Sequence, residues 1–417
     1  MDISDRRTRV RRALRFIRTR LRDRSIILTA AVIMALLAPA LLRAAPDTLS
    51  RHSSVSLITC EPSDAIYTSF GHSAIRITDS VSGADIFFHW GVFSFDAPHF
   101  VWRFVKGETD YEMGVVPRKY FLREYRKRNT AVHEQLLDMT YAQRKAVYEA
   151  VWENYRPENR TYRYNFVFDN CATRPYHMIM DICGDSIVPR HEEGVTTFRD
   201  IIWQHIGRGS FWSLAIDIVI GSEADRPIGT DEMIGFPLYT MQTIGSYETI
   251  KPGGLQAPFV TRTQTIVDGR VTALDQRPLT AESAINTAIP VVVFILLMLT
   301  AHKCRAAYKT LAAALLAIAA LCGCVVFFLM FVSEHPLVHE NYNLMWLNPL
   351  YIISIVLLFT RTSRFGRAVS LVLFAVTALF AVILVTGLQR MCLPLMLWWA
   401  VTAYICFNLY LKQRQTR

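Results

Sequence analysis

The stretch YRYNFVFDNCATRPYHMIMDI, residues 162–182, changes its pattern at the segment DNC, residues 169–171. Before this segment, aromatic and other residues alternate over residues 161–168, which predicts a β-strand. The aromatic face of that strand would hold Tyr162, Tyr164, Phe166 and Phe168. The later part of the stretch is compatible with a helix. The stretch therefore predicts a strand, a sharp turn and a helix, with Cys171 at the turn.

Cys171 would lie near the positive end of the helix dipole, beside N–H groups that have no partner within the helix. These effects and the charge of Arg174 favour a thiolate, and the N–H groups could stabilise an oxyanion. Pro175 lies in the first turn if Thr173 caps the helix and falls slightly late if Asn170 does. An oxyanion role for Asn170 remains open beside capping. The alternative for Cys171 is a small buried apolar residue.

A thiol nucleophile needs a base, and the segment SFGHSAIRI (69–77) offers one. Its alternation predicts a strand that begins at His72, where Gly71 would leave room beside the imidazole. The segment DIFFHWGVFSF (85–95) predicts another strand, on which His89 could neighbour His72 and orient it. The alternative for His89 is an interior or interface position.

The composition indicates a membrane protein. The chain has 417 residues, of which 52% are hydrophobic and 19% charged, and its mean hydropathy is +0.23. The net charge is +10, and most of the positive charge lies beside apolar runs. This placement favours a membrane, and no nucleic-acid partner is expected.

The N-terminal residues 1–45 combine a basic segment with an apolar one. Ten arginines occur in residues 1–25, and an apolar run over 26–42 is followed by small residues. This pattern is typical of a signal peptide, or of an uncleaved signal anchor. In both cases residues 46–280, which contain no long apolar run, would form an exported globular domain. A capping-box pattern from Thr140 to Gln143 predicts a helix at about 141–155 within it.

Residues 281–417 are predicted to form a bundle of five transmembrane helices. The five apolar runs lie at roughly 285–301, 311–332, 344–360, 368–388 and 392–411. Lysine and arginine are concentrated in the loops 302–310 and 361–367 and in the C-terminal tail. The positive-inside rule places these loops in the cytoplasm and the globular domain on the periplasmic side of the inner membrane.

Two further segments could contact lipid. The exported loop SEHPLVHENYN (333–343) contains His335 and His339. It is either a polar turn or a segment that binds a lipid head group or closes the domain against the membrane. The basic run PRKYFLREYRKRN (117–129) is either a solvated helix face or a surface for anionic phospholipid heads.

Cysteine usage indicates neither a metal site nor a cofactor. The cysteines of the exported segment 46–280 are Cys60, Cys171 and Cys183, and no CxxC pair occurs there. At most one disulfide can form among these three, for example between Cys60 and Cys183. At least one thiol is therefore left free.

Successive motifs resemble those of the Lnb N-terminal periplasmic domain family. They are LITC (57–60), IYTSFGHSAIRI (66–77), FFHWGVFSFD (87–96), YRYNFVFDNCATR (162–174), TFRDII (197–202) and IGSEADRP (220–227). HPLVHENYNLMWLNPLYII (335–353) resembles that family's membrane-proximal loop and following helix. The resemblance implies an α+β, circularly permuted papain-like cysteine domain followed by an all-α bundle of five transmembrane helices.

The resemblance also implies lipoprotein N-acylation, with Cys171 as the nucleophile and His72 as the base. An acyl chain would pass from a phospholipid to the α-amine of a lipoprotein's diacylglyceryl-cysteine. His89 stands where versions such as NYGTF have asparagine, so the resemblance assigns it no role. Arg174, His335 and His339 are candidates for substrate binding. The alternatives are a membrane-anchored cysteine peptidase or amidase acting on cell-wall peptides, and a non-catalytic membrane scaffold.

Overall fold

The computed structural model describes residues 49–189, 196–251, 253–271 and 280–414. The predicted signal segment over residues 1–45 lies outside the described residues. Contacts divide the chain into two compact units, and the described residues of the smaller one are 49–53 and 79–84. In this unit the backbone N–H and the hydroxyl of Ser50 donate hydrogen bonds to the Asp79 carboxylate, at 2.8 and 2.6 Å. The larger unit contains the helices of the described residues and most of the main sheet.

The strands are short and lie mostly in the first 270 residues. In chain order they are β1 (Ser53–Cys60), β2 (His72–Asp79), β3 (Ala84–Val92), β4 (Asp110–Pro117), β5 (Val132–Leu137), β6 (Thr161–Arg163), β7 (Ile187–Val188), β8 (Thr196–Thr197), β9 (Pro227–Ile228), β10 (Glu248–Ile250), β11 (Gln256–Pro258) and β12 (Val260–Val267). In the described ranges, seven of them form one sheet in the order β12-β5-β1-β2-β3-β4-β6. The start of β2 and the whole of β3 therefore lie near the centre of the sheet.

The helices divide into short ones in the globular domain and long apolar ones after it. They are α1 (Phe100–Lys106), α2 (Arg118–Lys127), α3 (Tyr141–Tyr155), α4 (Thr173–Cys183), α5 (Phe198–Ile206), α6 (Phe211–Val219), α7 (Thr230–Met233), α8 (Pro237–Ser246), α9 (Ala281–Lys303), α10 (Arg305–Phe331), α11 (Tyr351–Phe359), α12 (Arg364–Thr386) and α13 (Leu393–Arg414). The domain is thus a mixed α+β structure.

Alternating side chains of β3 pack against helices on opposite faces of the sheet. Phe87 stacks on Phe121 of α2, with ring centroids 4.4 Å apart. Its neighbour Phe88 meets Trp152 of α3 edge to face at 5.3 Å. Both phenylalanines are fully buried, and each such burial stabilises the fold by about 1.5–3 kcal/mol. Because strand residues alternate, His89 lies on the same face as Phe87, against α2.

The predicted helix at 141–155 is confirmed, and so is its capping box. Thr140 accepts a hydrogen bond from the backbone of Gln143, and the Gln143 side chain accepts one from the backbone of Thr140. The predicted strand over 161–168 is wrong beyond residue 163. There the Asn165 side chain accepts hydrogen bonds from the N–H groups of Val167 and Phe168 and closes a turn.

Four helices of the described residues, α9, α10, α12 and α13, are long and apolar enough to span a bilayer. The count of five such helices is not confirmed, because the third apolar run does not form a continuous helix. It consists of a 3₁₀ turn at Tyr342–Met345, an irregular segment and the nine-residue α11. The irregular segment packs closely against α10, where a side chain at Gly323 would overlap the Leu347 carbonyl. Burial against protein makes irregular backbone tolerable in this place.

A buried ion cluster joins the globular domain to the apolar helices. The Arg199 guanidinium donates to the carboxylates of Asp217 and Asp225, at 2.7 and 2.8 Å, and is fully buried. Asp217 also accepts a hydrogen bond from the backbone N–H of Cys392, just before α13. The Asn343 side chain donates to the Asp217 carbonyl. These contacts hold the base of the domain against the membrane part.

Candidate active site

His72 and His89 lie side by side on neighbouring strands. Nε2 of His72 is 3.1 Å from Nδ1 of His89, and the two rings are nearly perpendicular. One of these nitrogens carries the shared proton, and the other accepts it. On the far side of His89, a Cβ at Gly114 of β4 would lie only 2.7 Å from Nε2. The close approach of the β4 backbone therefore fixes the position of His89.

Gly71, directly before His72, has a different role from the one expected. Its φ is +82°, a left-handed conformation that favours glycine. An added Cβ would lie 2.5 Å from the carbonyl oxygen of Cys60. The β1 backbone therefore fills the direction that a side chain at Gly71 would take, while Gly71 itself lines the cavity beside His72.

Cys171 lies in the turn before α4. The Asn170 side-chain oxygen accepts hydrogen bonds from the N–H groups of Ala172 and Thr173, at 2.7 and 3.1 Å. The helix begins at Thr173, so Pro175 falls in its first turn, and the Asn170 side chain holds the turn just before it. The Asn170 amide donates both of its hydrogens to carbonyl groups, those of Phe166 and Gly235. In this arrangement Asn170 has no donor left for a substrate oxygen.

The Cys171 sulfur lies beside the start of β2. It accepts hydrogen bonds from the backbone N–H groups of Ser73 and of Cys171 itself. Burial nevertheless raises the pKa of the Cys171 thiol to about 11, although these N–H groups act in the opposite direction. The expectation of a thiolate at rest is therefore not met, because the loss of solvation outweighs the N–H groups at the turn.

The His72 imidazole is also neutral. Burial lowers the pKa of His72 to about 3, and the neighbouring His89 and Arg128 act in the same direction. Burial alone lowers the pKa of His89 to about 4. A neutral imidazole can accept a proton, so the pair of rings has the protonation state that a general base requires.

A cavity of about 200 Å³ opens beside His72. Among the residues that line it are Tyr67, His72, Gly91, Phe93, Tyr125 and Arg128. A Cβ at Gly91 would lie 3.7 Å from Cβ of Cys171, so Cys171 lies directly behind the cavity wall. Cys171 itself is buried and does not line the cavity, and Gly91 is the lining residue that packs against it.

Several site residues were missed by the sequence reasoning. The Tyr125 hydroxyl forms a hydrogen bond with the buried Cys60, below the cavity. Arg128 lines the same cavity and pairs with Glu124 at 2.8 Å. Both lie in the basic run 117–129. Because basic residues occur throughout this run, its charge pattern does not indicate that its C-terminal end faces the site. In the described part of the chain all eight cysteines are free, Cys60 and Cys183 included.

The predicted substrate-binding residues lie away from this cavity. Arg174 forms two hydrogen bonds with the Asp169 carboxylate, and its guanidinium lies 3.6 Å from the ring centroid of Tyr162. It lines a separate, wider cavity of about 620 Å³. His335 contacts the Phe104 carbonyl at 2.5 Å, and His339 contacts the Met330 carbonyl at 3.1 Å. The two histidines thus fasten the loop 333–343 to α1 and to the end of α10.

Two family models match the chain. The Lnb N-terminal periplasmic domain matches residues 46–202, and the Lnb transmembrane domain matches residues 284–416. Together these matches contain His72, His89 and Cys171 and all four long apolar helices. No curated protein and no solved structure matches the chain.

Proposed function

The chain belongs to the Lnb-type family, whose domains indicate a lipoprotein-processing membrane protein, and on this premise we propose that it is a lipoprotein N-acyltransferase. Cys171 would take an acyl chain from a phospholipid and pass it to the α-amine of a diacylglyceryl-cysteine. One observation carries the proposal: a thiol at a helix start contacts the backbone of Ser73 and packs near Gly91, on the two strands that carry the neutral pair His72 and His89 beside a cavity.

In the first half of the reaction, the Cys171 sulfur attacks the carbonyl carbon of a phospholipid ester. His72 keeps a proton on Nε2, donated to Nδ1 of His89, and accepts the thiol proton on its other nitrogen. The S–C bond forms, and the backbone N–H of Cys171, which does not donate to the Asn170 side chain, is the donor of the turn that can stabilise the oxyanion. The ester C–O bond then breaks, and His72 returns the proton to the leaving alkoxide. The products are a thioester and a lysophospholipid.

In the second half, the lipoprotein amine attacks the thioester carbon. His72 accepts a proton from the amine nitrogen as the N–C bond forms. The C–S bond breaks, and the proton returns to sulfur and restores the thiol. The two half-reactions make a ping-pong acyl transfer that needs no cofactor.

The finer architecture is part of the same proposal. His72 precedes Cys171 in the chain, the order found in circularly permuted papain-like domains. The segment 342–360 begins against Gln389 and ends at carbonyl groups that accept hydrogen bonds from Lys412. These contacts lie near opposite ends of the long helices, which supports a fifth crossing made of broken pieces. The cytoplasmic membrane, with the domain on its periplasmic side, is the proposed location.

Replacement of the nucleophile tests the function. The Cys171→Ala variant in proteoliposomes with a diacylated lipopeptide should yield no N-acylated product by mass spectrometry, because no thioester can form. The control is Cys183→Ala, at the far end of α4, which should keep most of the wild-type rate. Undiminished N-acylation by Cys171→Ala would overturn the proposal. Release of free fatty acid by the wild-type protein, with no lipopeptide product, would indicate a hydrolase instead.

A further inference from the structure

A series of aromatic rings leads from the cavity to the short helix α1, and a further ring of α1 contacts the apolar helices. Tyr67 lines the cavity and lies 6.1 Å from Phe95, measured between ring centroids. Phe95 meets Phe100 of α1 at 5.3 Å, and Phe100 stacks on Phe104 at 6.1 Å. On the same short helix, Trp102 lies 5.3 Å from Phe328 of α10. We call Tyr67, Phe95, Phe100, Trp102 and Phe104 the aromatic path.

The aromatic path is exposed to an unusual degree. Tyr67 is 60% exposed, Phe95 64% and Trp102 57%. Val101, beside Trp102, is 74% exposed. Large contiguous apolar patches on a protein surface mark sites that bind a partner or a membrane. This surface therefore requires an apolar partner that the described chain does not supply.

The position of α1 indicates what that partner is. The loop that follows α10 binds the C-terminal part of α1, since the N–H of Glu334 donates to the Lys106 carbonyl and the Ser333 hydroxyl to the Val105 carbonyl. Phe328, which contacts Trp102, belongs to the last turn of that long apolar helix. The α1 surface therefore lies where α10 leaves the bilayer, at the depth where acyl chains meet head groups.

The charged residues of α1 are engaged elsewhere. Arg103 donates to the Asp110 carboxylate at 2.7 Å, and Lys106 pairs with Glu108. Arg163 bridges Asp110 and Glu334 on the same side. These pairs keep the basic side chains on the polar side of α1 and leave the aromatic path apolar. An acidic or strongly polar partner would find no matching charge there.

We propose that the aromatic path holds the acyl chain of the phospholipid while its ester group reaches Cys171. The inference rests on the proposed function and adds the route by which the donor leaves the bilayer. The chain would slide from Phe328 along α1, past Phe95 and Tyr67, so that the carbonyl carbon enters the cavity beside His72. One end of the path lies at the bilayer and the other at the cavity, and this protein forms both. A lipid chain that moves from the bilayer to the cavity fits this arrangement better than a polypeptide does.

Substitutions in the aromatic path should slow the acylation of Cys171 by long-chain donors more than its acylation by short-chain donors. The Phe95→Ser and Trp102→Ser variants of the full-length protein would be compared on two acyl donors: a long-chain phospholipid in vesicles and a short-chain soluble ester. Formation of the Cys171 thioester is measured by mass spectrometry. Because a short chain has little apolar surface to place on the path, the ratio of long-chain to short-chain rates should fall about tenfold.

The matched control uses exposed aromatic residues that are not part of the path. Phe211 is 61% exposed, its N–H donates to Glu282 near the start of α9, and Trp212 lies 5.4 Å away. Phe211→Ser and Trp212→Ser should keep the wild-type ratio, which separates the path from general membrane contact.

Three outcomes would overturn the inference. If the path variants keep the wild-type ratio while wild-type Cys171 is acylated by both donors, the path fails and the proposed function survives. If the variants form the thioester normally and lose only transfer to the lipopeptide, the surface binds the acceptor instead. If Cys171 of the wild-type protein is acylated by neither donor, the proposed function fails as well.

Discussion

At the scale of single residues, the side chains of Cys171 and His72 in the candidate site are uncharged at rest. Burial keeps the Cys171 thiol and the His72 imidazole neutral, whereas a thiolate–imidazolium pair would be charged at rest. The proton must then move during the attack on the substrate, and the contact between His72 and His89 determines which nitrogen can accept it. A neutral thiol is also less open to oxidation, because oxidants react with the thiolate.

The pKa of His72 predicts acid sensitivity. Since it falls from its usual value near 6.5 to about 3 on folding, the unfolded state binds more protons between these values. Stability should therefore fall as the pH decreases from about 6.5, by about 2 kcal/mol at about pH 4.5. In His72→Gln, the decrease in the free energy of unfolding between about pH 6.5 and about pH 4.5 should be smaller by about 2 kcal/mol. Thermal unfolding at the two pH values measures it. His177→Gln, at an exposed histidine, is the control, and equal losses in both variants would contradict the prediction.

At the scale of elements, the position of His89 depends on the neighbouring strand. A methyl group at Gly114 would lie 2.7 Å from Nε2 of His89 and 2.9 Å from the Val92 side chain. Gly114→Ala should therefore displace His89 and lower the acyl-transfer rate by about 10- to 100-fold, without changing any reacting atom.

The control for this change is Gly184→Ala, since a Cβ there would meet nothing within 4 Å. Thioester formation and thermal unfolding would be measured for both variants. If Gly114→Ala reacts as fast as Gly184→Ala, His89 does not position His72.

The sequence predicted those parts of the site that depend on local patterns. The turn at Cys171, the strand beginning at His72 and the helix at 141–155 each follow from a few neighbouring residues. Tyr125 and Gly114 reach the site through packing between segments that are distant in the chain. A single amino-acid sequence does not indicate such packing. The early end of β6 had a local cause, since Asn165 competes for backbone N–H groups that a longer strand would use.

At the scale of the whole molecule, the buried ion cluster at the base of the domain stabilises the folded protein. Asp217→Ala leaves Arg199 with Asp225 as its remaining acidic partner and removes the acceptor for the Cys392 N–H. Breaking such a buried pair costs about 3–5 kcal/mol. Thermal unfolding in detergent should show this loss.

An exposed ion pair provides the comparison. Glu153 and Arg156 lie on the surface of the domain, with side chains 54% and 60% exposed. Glu153→Ala should cost less than about 1 kcal/mol, because solvent screens the pair. Equal effects of Asp217→Ala and Glu153→Ala would show that the cluster does not hold the two parts together.

The place of β12 in the sheet has a consequence for biosynthesis. Among the described residues β12 is the last strand, yet it pairs with β5, and two strands, β5 and β1, separate it from β2. The ribosome must therefore finish residue 267 before the sheet can be completed, and the first long apolar helix of the described residues begins only at residue 281. The hydrogen bond between the Asp217 carboxylate and the Cys392 N–H can form only later, because Cys392 follows residue 281 in the chain. Cys171 is thus synthesised early, whereas the contact that fixes the domain on the apolar helices can form only after Cys392 has been added to the chain.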